Sequence, residues 1–335
     1  MTSLQAPVDR GLWSLGREIE LKLFCAVEGE LHAIAGLWRK MFCLDPREPG
    51  VASASVKLDF RFLAPDAENG AEGERVYASP GLDIWRTPDG FLLESASARL
   101  RLNPGQSRAE GSLGSPFWNS PLQYRRGFFA LAFLLLLNGH GFYGLHAGAV
   151  EGAGASFLVV GDSGCGKTTT TMALARHGWR YLSDDAVILH DAVDGRVEAL
   201  ALTRGFSCTS GACERFPELA TGAGEEVHGG KRLVDAEALF PGRFIGYTTP
   251  GIILFPRIAA QADSQLTRLR EPEALARLIR QSPGVLSDRA AVAGQLEILR
   301  RLVESSRSYE LVLGAGVYQR PEALGGLLET IAVVA

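Results

Sequence analysis

The chain has 335 residues, of which 46% are hydrophobic and 21% are charged, and its formal net charge is −4. This length suits two domains of ordinary size, and the apolar fraction is enough for a substantial core. The mildly negative charge gives no basic footprint for nucleic acid or an anionic membrane surface. Because the five cysteines are an odd number spread widely along the chain, a disulfide framework of the secreted type is not expected.

The sequence also gives no membrane or targeting signal. Nothing near Met1 combines a basic region, an apolar stretch and a small-residue cleavage site. The longest strictly apolar run is the ten residues 128–137. A membrane-spanning helix needs roughly 20 apolar residues, so this run predicts a buried helix. We therefore expect a cytoplasmic protein with neither membrane nor nucleic acid as a partner.

Residues 1–120 predict a smaller α+β domain, which we expect to select the substrate. Residues 9–42 carry charges at helical spacing within an apolar background and predict a helix. Residues 56–62 alternate apolar and charged side chains, the period-two pattern of a half-buried strand. Residues 103–119 are rich in Gly, Ser and Pro and predict a linker.

Residues 121–335 predict a second domain of α/β type, in which strands and helices alternate along the chain. After the buried helix, we expect strands at 144–151 and 156–160. A glycine-rich loop and a helix over 168–177 should follow, and then a strand at 181–189. This order places the clearest motif of the sequence between a strand and a helix.

That motif is a loop that fits the pattern G-x-x-x-x-G-K-[ST]. Its residues are Gly161, Asp162, Ser163, Gly164, Cys165, Gly166, Lys167 and Thr168, and Thr169 follows them. The glycines allow successive backbone N–H groups to converge on phosphate oxygens, and the helix that follows presents its positive end to the same anion. Lys167 would reach the β- and γ-phosphates, and the Thr168 hydroxyl would ligate Mg²⁺. The motif therefore predicts binding of ATP and Mg²⁺.

Cys165 occupies a variable position of this loop. The amides at a helix N-terminus can lower the pKa of a thiol, but we predict a spacer here.

Two acids and a histidine are candidates for the chemistry. Asp184 and Asp185 end one apolar stretch and precede another, where a strand beside a phosphate loop can supply a metal ligand and a base. Because neighbouring residues of a strand face opposite ways, one acid could hold Mg²⁺ while the other faces the acceptor. A solvated turn is the alternative. His146 lies on the predicted strand upstream of the loop, where a buried structural histidine is the alternative to a functional one.

Together these residues resemble the C-terminal kinase domain of HPr kinase/phosphorylase and its relatives. The matching stretches are Leu145-His146-Ala147, residues 157–168 and residues 176–187. The resemblance implies a fold related to phosphoenolpyruvate carboxykinase and phosphorylation of a serine or threonine hydroxyl, usually on a protein. By the same resemblance, Asp184 would be the base, Asp185 would lie near the metal, and His146 would sit beside the transferred phosphoryl group.

The chain departs from the family pattern in two places. The second family signature has a glutamate two residues before Arg-Gly, but Leu202 stands at that position before Arg204-Gly205. We therefore expect a kinase that does not efficiently reverse its reaction. Residues 1–120 do not resemble the usual N-terminal domain of HPr kinases. The resemblance thus implies a related kinase with another protein or peptide target, and some relatives of this kind modify precursor peptides such as lasso peptides.

Three further features have two interpretations each. The guanidinium of Arg204 could stabilise charge on the γ-phosphate, or Arg204 could be an ordinary surface arginine. Residues 221–230 could be a lid whose basic end, Lys231-Arg232, meets ATP or substrate, or a surface loop. Cys208, Cys213 and His228 have spacing that a zinc site permits, but the fourth ligand is missing.

Two other functions share the phosphate loop. One is a P-loop kinase that acts on a small molecule, and the other is a nucleotide-binding switch with little turnover. The Leu-Ser-Gly-Gly-Gln signature of transporter ATPases and the Asn-Lys-x-Asp signature of GTPases are absent. An aspartate pair placed to activate a hydroxyl favours an enzyme over a switch. The sequence leaves homo-oligomerisation open.

Overall fold

The computed structural model describes residues 9–27, 29–46, 54–63, 73–216, 219, 225–227, 231–282 and 291–332. The protein has a mixed α/β fold with several sheets. The chain divides into two compact units, Met1–Phe142 with Gly284–Ala291 and Tyr143–Pro283 with Val292–Ala335. This boundary lies after the one expected at residues 120 and 121, because the long apolar helix that follows residue 121 packs with the first unit.

One mixed sheet forms the centre of the first unit. The strands are β1 (Asp9–Leu15), β2 (Ile19–Cys25), β3 (Leu44–Pro46), β4 (Val56–Phe62), β5 (Glu74–Ser79), β6 (Leu82–Thr87), β7 (Gly90–Ser95), β8 (Ala98–Asn103) and β9 (Arg108–Leu113). The helices are α1 (Glu30–Met41), α2 (Ser115–Trp118) and α3 (Leu122–Asn138). The strands lie in the order β3-β1-β2-β4-β9-β8-β7-β6-β5. The pairs β2–β4 and β4–β9 are parallel, and the other neighbours are antiparallel.

The predicted helix over residues 9–42 is wrong for its first half. β1 and β2 form an antiparallel hairpin there, and α1 follows it. Every second residue of β2 is buried, beginning with Ile19 and Leu21. Gly16, in the turn between the strands, has φ 59°, a left-handed conformation that favours glycine. Alternate burial along the strand and a glycine at the turn both indicate a hairpin. The helical spacing of the charges predicted a helix instead.

Aromatic rings from α1, β4 and α3 form the core of the first unit. The Trp38 ring lies edge-to-face against Phe60, Phe129 and Phe133, with centroid distances of 5.3, 5.8 and 5.2 Å. All four side chains are buried. Edge-to-face pairs of this kind stabilise a core by about 0.5–1.5 kcal/mol each beyond the area they bury. This packing confirms the buried helix predicted at residues 128–137. Within the described ranges, no helix is long and apolar enough to cross a membrane.

The predicted linker at residues 103–119 instead contains a strand inside the sheet. β9 pairs parallel with β4 on one side and antiparallel with β8 on the other. Gly111 lies opposite Leu100 in this register, and a Cβ atom at position 111 would lie 1.9 Å from the Arg99 carbonyl oxygen. At least this glycine therefore reflects the close approach of two strands and not a flexible linker.

Gly111→Ala is expected to destabilise the first unit by about 1–3 kcal/mol, because the sheet must distort to admit the new methyl group. The matched control is Gly36→Ala in α1, where an added Cβ atom meets nothing within 4 Å. That change should stabilise the helix by about 0.5–1 kcal/mol. Urea denaturation followed by tryptophan fluorescence measures both effects. Equal stability of the two variants would show that position 111 tolerates a side chain.

The second unit contains three sheets among its described residues. Its strands are β10 (Tyr143–Leu145), β11 (Ala147–Gly152), β12 (Ala155–Val160), β13 (Arg180–Ser183), β14 (Val187–Asp191), β15 (Val197–Ala201), β16 (Phe206–Thr209), β17 (Glu225–Val227), β18 (Lys231–Val234), β19 (Tyr247–Thr248), β20 (Ile252–Ile258), β21 (Gln265–Arg268) and β22 (Arg307–Leu313). Its helices are α4 (Lys167–Arg176), α5 (Ser210–Arg215), α6 (Ala236–Leu239), α7 (Glu271–Arg280), α8 (Val292–Glu304) and α9 (Pro321–Ala332). The sheet orders are β13-β11-β12-β20-β22-β21, β10-β14-β15-β19 and β16-β18-β17.

Three parallel strands of the second unit end along one edge of its largest described sheet. β12 pairs parallel with β20, and β20 pairs parallel with β22. Their carboxyl ends therefore lie along one edge, where the chain continues after Val160, Ile258 and Leu313. In open α/β sheets, ligands bind outside the carboxyl ends of the strands. The glycine-rich loop follows β12 at this edge, and the predicted strand and helix on either side of the loop are confirmed.

Candidate functional site

The glycine-rich loop, residues 161–166, connects β12 directly to α4. Gly161, Gly164 and Gly166 have φ angles of 157°, 84° and 115°, which side chains rarely adopt. The Lys167 ammonium donates hydrogen bonds to the carbonyl oxygens of Gly161 at 2.7 Å and Asp162 at 3.0 Å. The strand–loop–helix order is the context that the phosphate-binding motif requires. The ammonium thus lies beside the loop backbone, where it can meet an anion.

Thr168 and Asp184 meet at the start of α4. The Thr168 hydroxyl donates to Asp184 Oδ2 at 2.8 Å, and the Ser207 backbone N–H donates to the same oxygen at 3.0 Å. Asp184 is only 1% exposed. A buried carboxylate is costly unless hydrogen bonds or opposite charges compensate, and these two donors supply part of that compensation. The pair places a hydroxyl and a carboxylate oxygen side by side next to the loop.

Asp185 faces His146 instead. His146 Nδ1 lies 3.3 Å from Asp185 Oδ1 and 2.8 Å from the Asp185 backbone oxygen. Two acceptors beside Nδ1 favour the tautomer that carries its proton there. Burial lowers the pKa of His146 below its ordinary value, and the adjacent Asp185 charge partly opposes that shift. The Nδ1–H of the uncharged ring therefore donates to the Asp185 backbone oxygen, and the Asp185 carboxylate lies beside the ring.

The two aspartates do not lie on one strand as predicted. They occupy a bend between β13 and β14, so their different directions come from the bend and not from strand alternation. His146 likewise lies in a break, between β10 and β11, where one predicted strand is split between two sheets. Where a strand is interrupted, its side chains no longer alternate between the two faces of the sheet. This local irregularity allows three chemically active groups to face one cavity.

That cavity has a volume of about 270 Å³. It brings together most of the residues that the sequence singled out. These are His146, Ser163, Gly164, Gly166, Lys167, Thr168, Thr169, Asp184 and Asp185. Lys231 also lines it, and its ammonium donates to the Ser163 hydroxyl at 3.0 Å. Gly161, Asp162 and Cys165 lie in the same loop but do not line the described cavity.

Burial changes the proton affinity of two loop groups. It lowers the pKa of Lys167, while the carboxylates of Asp185 and Asp184 oppose that shift. An anionic ligand would therefore restore proton affinity to this ammonium. Burial raises the pKa of the Cys165 thiol, which keeps it protonated and unreactive. This property agrees with the spacer interpretation of Cys165.

Arg204 is not among the residues that line the described cavity. It lies between β15 and β16, with its guanidinium 5.9 Å from the centroid of the Phe244 ring. Cation–π contacts of this kind stabilise a protein by about 0.5–2 kcal/mol. In this structure, contact with the γ-phosphate would require Arg204 to leave Phe244.

Gln281 is the clearest site residue that sequence reasoning missed. Its side-chain amide donates to Asp162 Oδ1 at 2.6 Å, and its backbone oxygen accepts the His146 N–H at 2.8 Å. One residue at the end of α7 thus supports both the loop and the strand break. Nothing in the sequence marks a single glutamine so far from the loop. Further cavity residues that were missed are Ser207, Thr209, Gly211, Ala212, Arg215, Ile258 and Tyr318.

Most of the predicted lid lies outside the residues that the structure describes. Of residues 221–230, only Glu225–Val227 is described, and it forms a strand paired with β18. His228 lies outside the described residues. Cys208 is buried, and its thiol lies 3.6 Å from the Met172 sulfur. Among the residues that can be described, no group of three or more His, Cys, Asp or Glu could hold a metal ion.

The Thr168–Asp184 pair nevertheless fits Mg²⁺ as a cofactor. Mg²⁺ prefers hard oxygen ligands and is usually held by one or two carboxylates, substrate phosphates and waters, without an all-protein cage. A threonine hydroxyl hydrogen-bonded to a carboxylate at the start of the loop helix supplies such donors. Most of the ligands would then come with the nucleotide and from water.

Comparison with known proteins gives matches only among solved structures. No family model matches the chain, and no curated protein matches it. Among solved structures, it matches the HPr(Ser) kinase/phosphatase from Coxiella burnetii at 11% sequence identity and a TM-score of 0.30. The match covers 57% of this chain and 96% of that chain. A TM-score of this size carries no inference about a shared fold or activity.

Proposed function

We propose that this protein is an ATP-dependent kinase that phosphorylates a serine or threonine hydroxyl of a protein or peptide. One observation carries the proposal: the Thr168–Asp184 pair and the Asp185–His146 pair line the same cavity as the loop lysine. Phosphoryl transfer requires a cradle for phosphates, oxygen donors for a metal ion and a base for the attacking hydroxyl. These three requirements are met by different residues in one place.

In this proposal the loop amides and the Lys167 ammonium bind the β- and γ-phosphates and stabilise the charge that develops on them. Thr168 and Asp184 would hold Mg²⁺, which neutralises phosphate charge when bound. Lys231, hydrogen-bonded to Ser163, adds a second cation at the mouth of the loop. Each of these contacts favours the transition state by placing positive charge where negative charge accumulates.

The geometry supports an exchange of the two aspartate roles that the family resemblance implied. Asp184 is buried and bonded to Thr168, which suits a metal partner. The Asp185 side chain is 31% exposed and lies beside His146, so an acceptor hydroxyl could approach it. In the exchanged assignment, Asp185 accepts the hydroxyl proton, and His146 positions Asp185 through the hydrogen bond to its backbone oxygen. Arg204 has no assigned step.

We further propose that the second unit holds the kinase activity and that the first unit, which includes helix α3, selects the acceptor. We also propose a cytoplasmic location, because the kinase would use free ATP as its phosphoryl donor. On the sheet of the first unit, the exposed Lys57 and Arg101 would be available to contact such an acceptor.

The test is transfer of label from γ-labelled ATP in the presence of Mg²⁺ and a protein and peptide fraction of cell extract. Label should appear as an acid-stable, alkali-labile phosphoester on serine or threonine, and Asp185→Asn should remove it. Label confined to small molecules would support a small-molecule kinase. Tight ATP binding without transfer to any acceptor would support a nucleotide-binding switch.

The same labelled product tests the direction of the reaction. Leu202 stands where the related family has a glutamate, so incubation with excess inorganic phosphate should release little label from the product. Rapid release in the presence of the enzyme would show that phosphorolysis does not depend on that glutamate.

A further inference from the structure

A second cavity of about 280 Å³ adjoins the one that contains the glycine-rich loop. The two cavities share Arg215, Ile258 and Tyr318. The remaining lining residues of the second cavity are Ala259, Ala260, Leu313, Gly314, Ala315 and Val317. Apart from Arg215 and Tyr318, these side chains carry no polar group. The cavity at the glycine-rich loop therefore continues into an apolar one.

The position of the second cavity follows from the sheet. β20 ends at Ile258 and β22 ends at Leu313, on the same edge where β12 leads into the loop. If the phosphates of a ligand bind at the loop, the rest of the ligand would extend along this edge or into solvent. The second cavity lies along it, at the ends of the two neighbouring parallel strands, where α/β sheets bind their ligands.

The walls of the second cavity suit a flat, apolar group. Ile258 is 51% exposed although it is a large hydrophobic residue. The Arg215 guanidinium lies 4.7 Å from the centroid of the Tyr318 ring, and the buried Phe216 ring packs edge-to-face against Tyr318 at 5.4 Å. Phe216 thus fixes the ring, and Arg215 places a positive charge between the two cavities. An aromatic ring, an exposed aliphatic side chain and a cation form a surface on which a nucleobase can stack.

We propose that the second cavity binds the base of a nucleoside triphosphate whose phosphates lie on the glycine-rich loop. Ile258 and Tyr318 would contact the base. Arg215 would lie near the bond between the ribose and the α-phosphate. The phosphoryl donor would then be a nucleoside triphosphate and not an inorganic polyphosphate. This inference rests on the proposed function, because it takes the loop as the phosphate site.

The test compares two ligands by calorimetry on the full chain with Mg²⁺, namely ATP and inorganic tripolyphosphate. Tyr318→Ala should weaken ATP binding about tenfold, the range typical for loss of one base–aromatic contact, and leave tripolyphosphate binding unchanged. Ile258→Ala should act in the same direction. Tyr318→Phe, which keeps the ring, should retain ATP affinity. Leu296→Ala, at another partly exposed hydrophobic residue, is the matched control and should change neither ligand.

The outcomes separate this inference from the function on which it rests. Unchanged ATP affinity in both Tyr318→Ala and Ile258→Ala, with Lys167→Ala weakening both ligands, would overturn the base site and keep the phosphate site. Equal losses for ATP and tripolyphosphate in Tyr318→Ala would also overturn it. If Lys167→Ala left both ligands unaffected in a folded protein, the phosphate site itself would be wrong. Circular dichroism and the melting temperature of each ligand-free variant show whether it is folded.

Discussion

Lys167→Ala is expected to abolish phosphoryl transfer and to weaken ATP–Mg²⁺ binding severely. The ammonium bonds to the Gly161 and Asp162 carbonyl oxygens beside the loop, so it is held where the β- and γ-phosphates would bind. Removing one charge-stabilising donor from a preorganised site typically costs about 10²–10³-fold in rate. A loop lysine also contributes to ground-state binding, so affinity and rate should both fall. Calorimetry and single-turnover transfer measure the two losses separately.

Arg196→Ala is the matched control for this prediction. Arg196 lies between β14 and β15, its side chain is 67% exposed, and it pairs with Asp194 of the same turn. The control should change neither nucleotide affinity nor transfer, because this exposed cation does not line the cavity and its charge is screened by solvent. Wild-type affinity in a folded Lys167→Ala protein would show that the loop is not the nucleotide site.

Asp185→Asn is expected to lower single-turnover transfer by about 10²–10⁴-fold, as removal of a general base does, while ATP–Mg²⁺ affinity stays near that of the wild type. Asp184→Asn should instead weaken nucleotide affinity and raise the Mg²⁺ concentration needed for transfer. The reason is geometric. Asp184 is bonded to the Thr168 hydroxyl at the loop, whereas Asp185 is bonded to His146 and is more exposed. Titrating each variant with Mg²⁺ at fixed ATP resolves the two effects.

The opposite pattern would restore the assignment that the family resemblance implies, with Asp184 as the base. Two variants with wild-type turnover would show that neither acid is catalytic. His146→Gln provides an intermediate case. It keeps a hydrogen-bond donor toward Asp185 and should lower turnover less than Asp185→Asn does.

The parts of the fold that sequence predicts well are those set by local rules. The loop pattern has fixed spacing, and the apolar strand before it and the helix after it are short-range signals. The helix at residues 128–137 is also local, because an uninterrupted apolar run has few alternatives to burial. These features required no knowledge of which strands are neighbours.

The remainder depends on contacts between distant residues. In the sequence, Gly111 suggests a flexible segment. In the structure, the carbonyl oxygen of Arg99 on the neighbouring strand leaves no room for a side chain at that position. The directions of Asp184 and Asp185 depend on a bend that separates two sheets, which periodicity does not reveal. Gln281 reaches Asp162 from another helix. Such placements follow from topology, so the candidate residues were predictable while their pairing was not.

The most direct measurement is a crystal structure of the full chain with a non-hydrolysable ATP analogue and Mg²⁺. The β- and γ-phosphates should lie on the amides of residues 161–168, with Lys167 beside them and with Thr168 and Asp184 on the metal side. Asp185 should face open space for an acceptor hydroxyl, beside His146. Nucleotide bound at any other place, with the glycine-rich loop empty, would contradict the assignment of this protein as a kinase.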